Sequence, residues 1–181
     1  MIWITSDLHF CHDKDFIYGA RGFSSVNQMN ETIINNWNEL ICPEDDIYVL
    51  GDIMLDDNVK GIECWNQLIG NKHIILGNHD STTRVKLYKQ CPRTRVEGYG
   101  LLKRYKEHSF FLSHYPTFTW NNDDNNLLKN RVINLCGHVH TADRYYDSDK
   151  GLIYHVELDA HNNRPITMDS VLNDVIDRFD K

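Results

Sequence analysis

In the first half of the chain, short apolar runs alternate with longer segments of helical periodicity. Apolar residues are contiguous in the runs predicted as strands, and they recur every three or four positions in the segments predicted as helices. The predicted strands are residues 1–5, 47–50 and 74–76. The predicted helices are residues 27–40, 59–69 and 82–90. This β-α-β-α-β-α order is typical of an α/β fold.

The second half of the chain is rich in predicted strands. The pattern indicates antiparallel strands at 100–105 and 109–112, a short strand at 132–135, and a hairpin of 144–146 with 152–158. An amphipathic helix is predicted over 167–179, and the polar stretch 121–126 is predicted as a loop. Because no repeat or linker interrupts the pattern, we predict one domain over residues 1–181 with an α/β layered fold and a mixed sheet.

The composition narrows the classes of partner and location. The chain has 181 residues and a net charge of −7, and it has no run of basic residues. Binding to a nucleic-acid backbone is therefore disfavoured, whereas a small phosphorylated substrate is compatible with this charge. The five cysteines are scattered and include no C-x-x-C pair, which is typical of reduced thiols. With no apolar run of 18 residues, we expect a cytoplasmic protein that does not span a membrane.

Five of the apolar runs end in polar side chains that can bind a metal. The ends of strands at the carboxyl edge of an α/β sheet are where ligands usually bind. These candidate ligands are Asp7, His9, Asp52, Asn78, His114, His138 and His140. Taken singly, a Gly-Asp or Asp-x-His pair is more often a turn or a cap. The ordered series, each member at the end of an apolar run, instead favours a metal site.

The ligand types and their spacing indicate the kind of site. In extended backbone, residues i and i+2 point to the same side, so we expect Asp7 to converge with His9 and His138 with His140. Oxygen and imidazole ligands suit divalent Mn, Fe, Zn, Ni or Co and disfavour a cysteine-rich zinc site. Seven side chains exceed the needs of one tetrahedral site. Two ions roughly 3.5–4 Å apart that share a carboxylate are the economical interpretation.

The series SDLHF, LGD, LGNHD, LSHYP and CGHVH, in that order, resembles the calcineurin-like metallophosphoesterase superfamily. It is most similar to the small single-domain bacterial and phage members. The resemblance implies a four-layer α-β-β-α sandwich with mixed sheets. It also implies a metal-dependent phosphoric ester hydrolase with two divalent ions, among which manganese is favoured. The reaction would be attack on phosphorus by a hydroxide that bridges the two metals.

The resemblance also implies roles for individual residues. The first metal would be held by Asp7, His9, Asp52 and His140. The second would be held by Asn78, His114, His138 and again Asp52, which would bridge the two. His79 would contact the substrate phosphate together with Asn78, or protonate the leaving oxygen, and Asp80 would orient His79.

Two further residues are weaker candidates for substrate contact. His12 and Arg21 follow the first strand closely, and an arginine suits bidentate phosphate binding. The alternative is that both belong to an ordinary loop with solvated cations.

The function that this series favours is hydrolysis of a small phosphate ester. Because no accessory cluster of cations for a dianionic phosphate is evident, a phosphodiester is favoured over a monoester. The run after Asp52 lacks the arginine of the Ser/Thr protein phosphatases, so protein phosphatase activity is disfavoured. A phosphomonoesterase or nuclease on the same site, or a catalytically silent scaffold with this fold, remain the alternatives.

Overall fold

Nine strands form two mixed sheets in the computed structural model, which describes residues 1–119, 127–146 and 152–179. In chain order the elements are β1 (Ile2–Thr5), α1 (Asp15–Tyr18), α2 (Val26–Leu40), β2 (Asp46–Leu50), α3 (Asn58–Asn66), β3 (Asn71–Ile75), α4 (Thr82–Tyr88), β4 (Thr94–Gly98), β5 (Gly100–Tyr105), β6 (His108–Ser113), β7 (Val132–Cys136), β8 (Ile153–His155), β9 (Ile166–Thr167) and α5 (Met168–Phe179). The predicted loop 121–126 and the predicted turn 147–151 lie outside the described residues. Within those residues, no helix has the length and apolar character needed to cross a membrane.

The first sheet has the order β4-β3-β2-β1-β9, and the second has the order β5-β6-β7-β8. Strands β1 to β4 are parallel, and only the short β9 runs antiparallel to its neighbour β1. In the second sheet β5 and β6 are antiparallel, while β6, β7 and β8 are parallel. The predicted α/β sandwich with mixed sheets is therefore confirmed.

The apolar side chains of the first sheet alternate between two cores. Trp3, Ile47 and Val49 face the core that α2 and α3 cover, whereas Ile4 and Leu50 face a second core. That second core also contains the inward side chains of β6 and β7 and the apolar face of α5. Side chains of both sheets therefore interdigitate, which is what sheet-on-sheet packing requires. This packing holds the carboxyl ends of strands from the two sheets next to each other.

Three helices begin where a side chain caps the free backbone N–H groups of the first turn. Ser25 accepts from the N–H of Gln28 ahead of α2, and Asp57 accepts from two N–H groups ahead of α3. Ser81 does the same for α4, directly after the polar cluster that follows β3. The cap of α4 therefore fixes where that cluster ends.

The observed elements differ from the predicted ones in a few places. Strands β4 and β9 and the short α1 were not predicted, because β4 carries charged residues and β9 has only two residues. The predicted hairpin is reduced to an isolated antiparallel bridge between Tyr145 and Tyr154. Strand β8 instead pairs in parallel with β7, which buries Ile153 and Tyr154.

Candidate metal centre

The candidate ligands come from both sheets. Asp7, Asp52 and Asn78 follow β1, β2 and β3 of the first sheet within three residues. His114 directly follows β6 of the second sheet, and His138 lies two residues beyond β7. Because β1, β2 and β3 are parallel, their carboxyl ends lie along one edge, where the ends of β6 and β7 meet them.

The backbone of this edge is left-handed at five of the seven candidate ligands. The φ angles are +57° at Asp7, +51° at His9, +55° at Asp52, +74° at His138 and +54° at His140. Such values are uncommon for residues with a side chain, and they cluster at functional sites. The predicted extended geometry is therefore wrong, because the chain turns sharply at each of these positions.

Two groups of side chains are close enough to share an ion. The first group is Asp7, His9 and His140, and the second is Asp7, Asp52 and His114. In the first, Asp7 Oδ1 lies 3.6 Å from Nε2 of both histidines. In the second, Asp52 Oδ2 lies 3.5 Å from His114 Nε2. The two groups share Asp7, and Asp52 Oδ2 also lies 3.8 Å from His9 Nε2.

Two atoms of the first group indicate whether a cation fits between its side chains. Asp7 Oδ1 and His9 Nε2 are both buried, and neither has a hydrogen-bond partner among the described residues. An unpaired buried polar atom is costly, so a native structure rarely contains one without a reason. The 3.6 Å between these two atoms is too long for a hydrogen bond, so both lie unpaired beside each other. The donor set of carboxylate and imidazole therefore fits a divalent metal ion.

Burial and neighbouring charges perturb the metal-free ligands. Burial raises the pKa of Asp52 to about 6, and the negative charge of Asp7 adds to this effect. Burial lowers the pKa of His9 to about 4. Burial by itself would raise the pKa of Asp7, but the interaction of its carboxylate with the nearby His9 imidazole keeps that pKa below its ordinary value. A neutral His9 and ionised carboxylates are the protonation states that suit cation binding near neutral pH.

The remaining candidate ligands lie around the second group. Asn78 Oδ1 is 2.8 Å from His114 Nε2, and the other ring nitrogen of His114 lies 2.8 Å from the carbonyl oxygen of Leu50. The ring of His138 lies 5.0 Å from that of His114, and it belongs to neither of the two ligand groups. His138 and His140 are thus directed to opposite sides of the centre, towards His114 and His9 respectively.

His79 lies at the open side of the centre. Its side chain is 41% exposed, and its Nε2 is 3.8 Å from Asp52 Oδ2. Its backbone N–H donates to Asp52 Oδ1 at 2.9 Å. The imidazole can therefore reach a substrate held against the ligands.

Asp80 does not orient the His79 ring, which corrects the sequence-based interpretation. Its Oδ2 accepts from the backbone N–H groups of Asp52 and Gly77, at 2.9 and 2.8 Å. Its Oδ1 accepts from the Tyr88 hydroxyl at 2.7 Å and from the N–H of Ile53. Asp80 thus holds together the two turns that follow β2 and β3.

His12 and Arg21 contact ligands rather than open solvent. His12 Nδ1 lies 3.1 Å from His9 Nδ1, so the two rings share a hydrogen bond, and His9 directs its other nitrogen to Asp7. Arg21 has a side chain only 1% exposed, paired with Asp159. The Arg21 guanidinium is therefore paired with a buried carboxylate rather than free to bind a substrate phosphate.

Asp159 was missed by the sequence analysis. It lies in a 3-10 turn at Leu158–His161, beyond β8, and its Oδ2 is 3.2 Å from His140 Nδ1. Burial opposes ionisation of Asp159, but the hydrogen bond with His140 and the charge of Arg21 keep its pKa below the ordinary value. No motif marks this residue, because a lone aspartate after a short strand has no distinctive spacing.

The comparisons with known proteins agree with this geometry. The family model for calcineurin-like phosphoesterases matches residues 1–178, and the chain belongs to that family. The resemblance noted in the sequence is thereby confirmed, and the protein is a metal-dependent phosphoesterase. An uncharacterized protein of Methanocaldococcus jannaschii is 31% identical over 176 residues, which cover 94% of this chain and 89% of that protein.

Two solved structures share the fold. A protein of unknown function from Aquifex aeolicus superposes with a TM-score of 0.69 at 21% identity, over 96% of this chain and 98% of that one. The phosphoesterase Yfce from E. coli superposes with a TM-score of 0.50 at 15% identity, over 92% of this chain and 81% of that one. At these identities the two structures support the fold alone.

Proposed function

We propose that the protein is a dinuclear phosphodiesterase that acts on a small phosphorylated substrate. The observation that carries this proposal is that the Asp52 carboxylate, a member of the second ligand group, also lies beside His9 of the first group. Its Oδ2 lies within 3.5–3.8 Å of the Nε2 atoms of His9, His79 and His114. A carboxylate in that position suits a bridge between two cations.

One cation would be held by Asp7, His9, Asp52 and His140, and the other by Asp52, Asn78, His114 and His138. Manganese is our first choice, because oxygen and imidazole donors suit Mn²⁺. When bound, the two ions supply a nucleophile from water at neutral pH and neutralise charge on the phosphoryl oxygens.

The protein side chains have separate tasks. His79 contacts a phosphoryl oxygen and delivers a proton from Nε2 to the leaving oxygen. Its backbone N–H, bonded to Asp52, holds it at the centre. The hydrogen bond between the His9 and His12 rings, and the one that His114 Nδ1–H donates to the Leu50 carbonyl oxygen, fix the rings of His9 and His114, so that their Nε2 atoms face the carboxylates.

A diester is favoured because the cation expected to help bind a dianionic phosphate is committed elsewhere. The Arg21 guanidinium is fully used by Asp159 and by the carbonyl oxygens of Asp7 and Leu8. Arg84, close to His79, donates to the His79 carbonyl oxygen and to Asn58. A monoester dianion would therefore lack the Arg21 cation, whose charge is compensated by Asp159.

The test is a panel of chromogenic substrates with several metals. We expect Mn²⁺-dependent hydrolysis of bis-p-nitrophenyl phosphate, with a higher kcat/KM than for p-nitrophenyl phosphate. Asp52→Ala should abolish the activity, whereas Asp177→Ala, on the exposed face of α5, should leave it unchanged. A preference for the monoester would refute the diester proposal, and full activity of Asp52→Ala would refute the centre itself.

We also propose a cytoplasmic location. The five cysteines are free, and three of them are buried. Free thiols are typical of a reducing compartment. Separate assays of the cytosolic and membrane fractions would test this proposal.

A further inference from the structure

We propose that Asp159 is a positioning residue that, together with Arg21, sets the metal affinity of the site formed by Asp7, His9 and His140. This inference rests on the metal centre proposed above. Neither residue belongs to the motifs at the strand ends. Arg21 contacts the carbonyl oxygen of Asp7, and Asp159 contacts the ring of His140.

The contact between Asp159 and His140 gives the first part of the argument. Asp159 Oδ2 lies 3.2 Å from His140 Nδ1, while the other ring nitrogen, Nε2, lies 3.6 Å from Asp7 Oδ1. A carboxylate at Nδ1 holds the proton on that nitrogen and leaves the Nε2 lone pair free. It also makes the imidazole a better donor to a metal.

Arg21 holds the carboxylate in place. Its Nε and Nη2 donate to the two oxygens of Asp159 at 3.2 and 2.8 Å, which is the bidentate geometry of a strong pair. The same guanidinium donates to the carbonyl oxygens of Asp7, at 2.7 Å, and Leu8, at 3.3 Å. One buried cation therefore links the turn that carries Asp7 and His9 to the residue that orients His140.

The two ligand groups differ in the partner of a histidine Nδ1 atom. The corresponding ring nitrogen of His114 meets the neutral carbonyl oxygen of Leu50, at 2.8 Å, rather than a carboxylate. Asp159 contacts His140, which belongs to the first group alone, whereas Arg21 contacts Asp7, which both groups share. Loss of Asp159 should therefore weaken one metal equivalent and spare the other.

The experiment is calorimetric titration of the metal-free protein with Mn²⁺. For Asp159→Asn we expect the affinity of one equivalent to fall about 10- to 100-fold, which is the usual effect of removing a residue that supports a metal-bound histidine. The other equivalent should change less than about twofold. Asp177→Asn, a charge change of the same kind at an exposed position, should bind as the wild type does.

A second arm separates positioning from a general structural effect. In a His140→Ala background, Asp159→Asn should cause no further loss of metal affinity, because its effect passes through that ring. An equal fold-loss with and without His140 would overturn the proposal. So would an Asp159→Asn protein that binds both equivalents as the wild type does.

A measurement on the wild-type protein tests the proposal even if the variants fail to fold. In the Zn²⁺-loaded protein, imidazole ¹⁵N spectra should show the His140 proton on Nδ1, with Nε2 bound to the metal. A proton on Nε2 would refute the assignment. If the wild type bound a single equivalent, the dinuclear proposal would fail, but the His140 tautomer and the Asp159→Asn affinity would still decide the present one.

Discussion

Replacing Asp80 with asparagine tests whether this residue is a structural link between two turns. Its carboxylate accepts from three backbone N–H groups and from the Tyr88 hydroxyl. The residue is 5% exposed, so water cannot replace these partners. An asparagine has one carbonyl oxygen, and its amide group would leave two of the four donors facing another donor.

The magnitude follows from those two lost bonds. A hydrogen bond to a charged group contributes about 1.5–3 kcal/mol, so two of them correspond to roughly 3–6 kcal/mol. Allowing for local relaxation, we expect Asp80→Asn to lower the free energy of unfolding by about 3–5 kcal/mol. Since a domain is stable by only about 5–15 kcal/mol, this would be a large effect.

The assay is urea unfolding of the metal-free protein, with two matched controls. Tyr88→Phe removes one of the four donors and should cost about 1 kcal/mol. Asp177→Asn, at an exposed position, should change stability by less than about 0.5 kcal/mol. A loss below about 1 kcal/mol for Asp80→Asn, together with an altered pH dependence of kcat, would refute our reasoning and restore the role of orienting His79.

Three other changes have defined outcomes. Gly137→Ala should lower both the stability and the metal affinity, because a Cβ at this position would overlap Asp7 Oδ2 and Ser6 Oγ. Unfolding curves and Mn²⁺ titration measure the two effects, and wild-type values would contradict the close packing. Asp52→Asn should make the metal-free protein more stable at pH 7 by about 1–3 kcal/mol while abolishing activity. The folded-state pKa of Asp52 is about 6, above the ordinary 3.8, so the wild-type stability falls as pH rises from about 4 to 6 and stays lower above that range. If the substitution had the same effect on unfolding curves at pH 4 and at pH 7, this reasoning would be incorrect. Chelation with EDTA should abolish hydrolysis and lower the melting temperature, since a metal at 100 times its Kd adds about 2.7 kcal/mol; an unchanged melting temperature would contradict metal binding at the folded centre.

The part of the centre that the sequence revealed is the part that lies at strand ends. The polar residues after the apolar runs are brought to one edge by parallel pairing of β1, β2 and β3. Periodicity therefore predicts both the strands and the place where Asp7, Asp52 and Asn78 meet. The backbone geometry could not be predicted in this way, because left-handed φ angles at residues such as His9 reflect the surrounding packing rather than local preference.

The roles of the residues that support the ligands could not be assigned from their spacing in the sequence. Arg21 and Asp159 are 138 positions apart, and their pairing depends on how the turn after β8 packs against the turn after β1. An arginine near a phosphate-binding motif is a reasonable candidate for substrate contact, until a buried carboxylate is found within 2.8 Å of it. Asp80 was misinterpreted for the same reason, since its partners Asp52 and Ile53 lie 28 and 27 positions away, in the turn after β2.

The central claim is that strand ends from two sheets gather around a pair of cations with Asp52 between them. A crystal of the Mn²⁺-loaded protein, measured at the manganese absorption edge, tests this most directly. We predict two anomalous peaks roughly 3.5–4 Å apart, one beside His9 and His140 and the other beside His114. A single peak, or a pair remote from Asp52, would contradict the account.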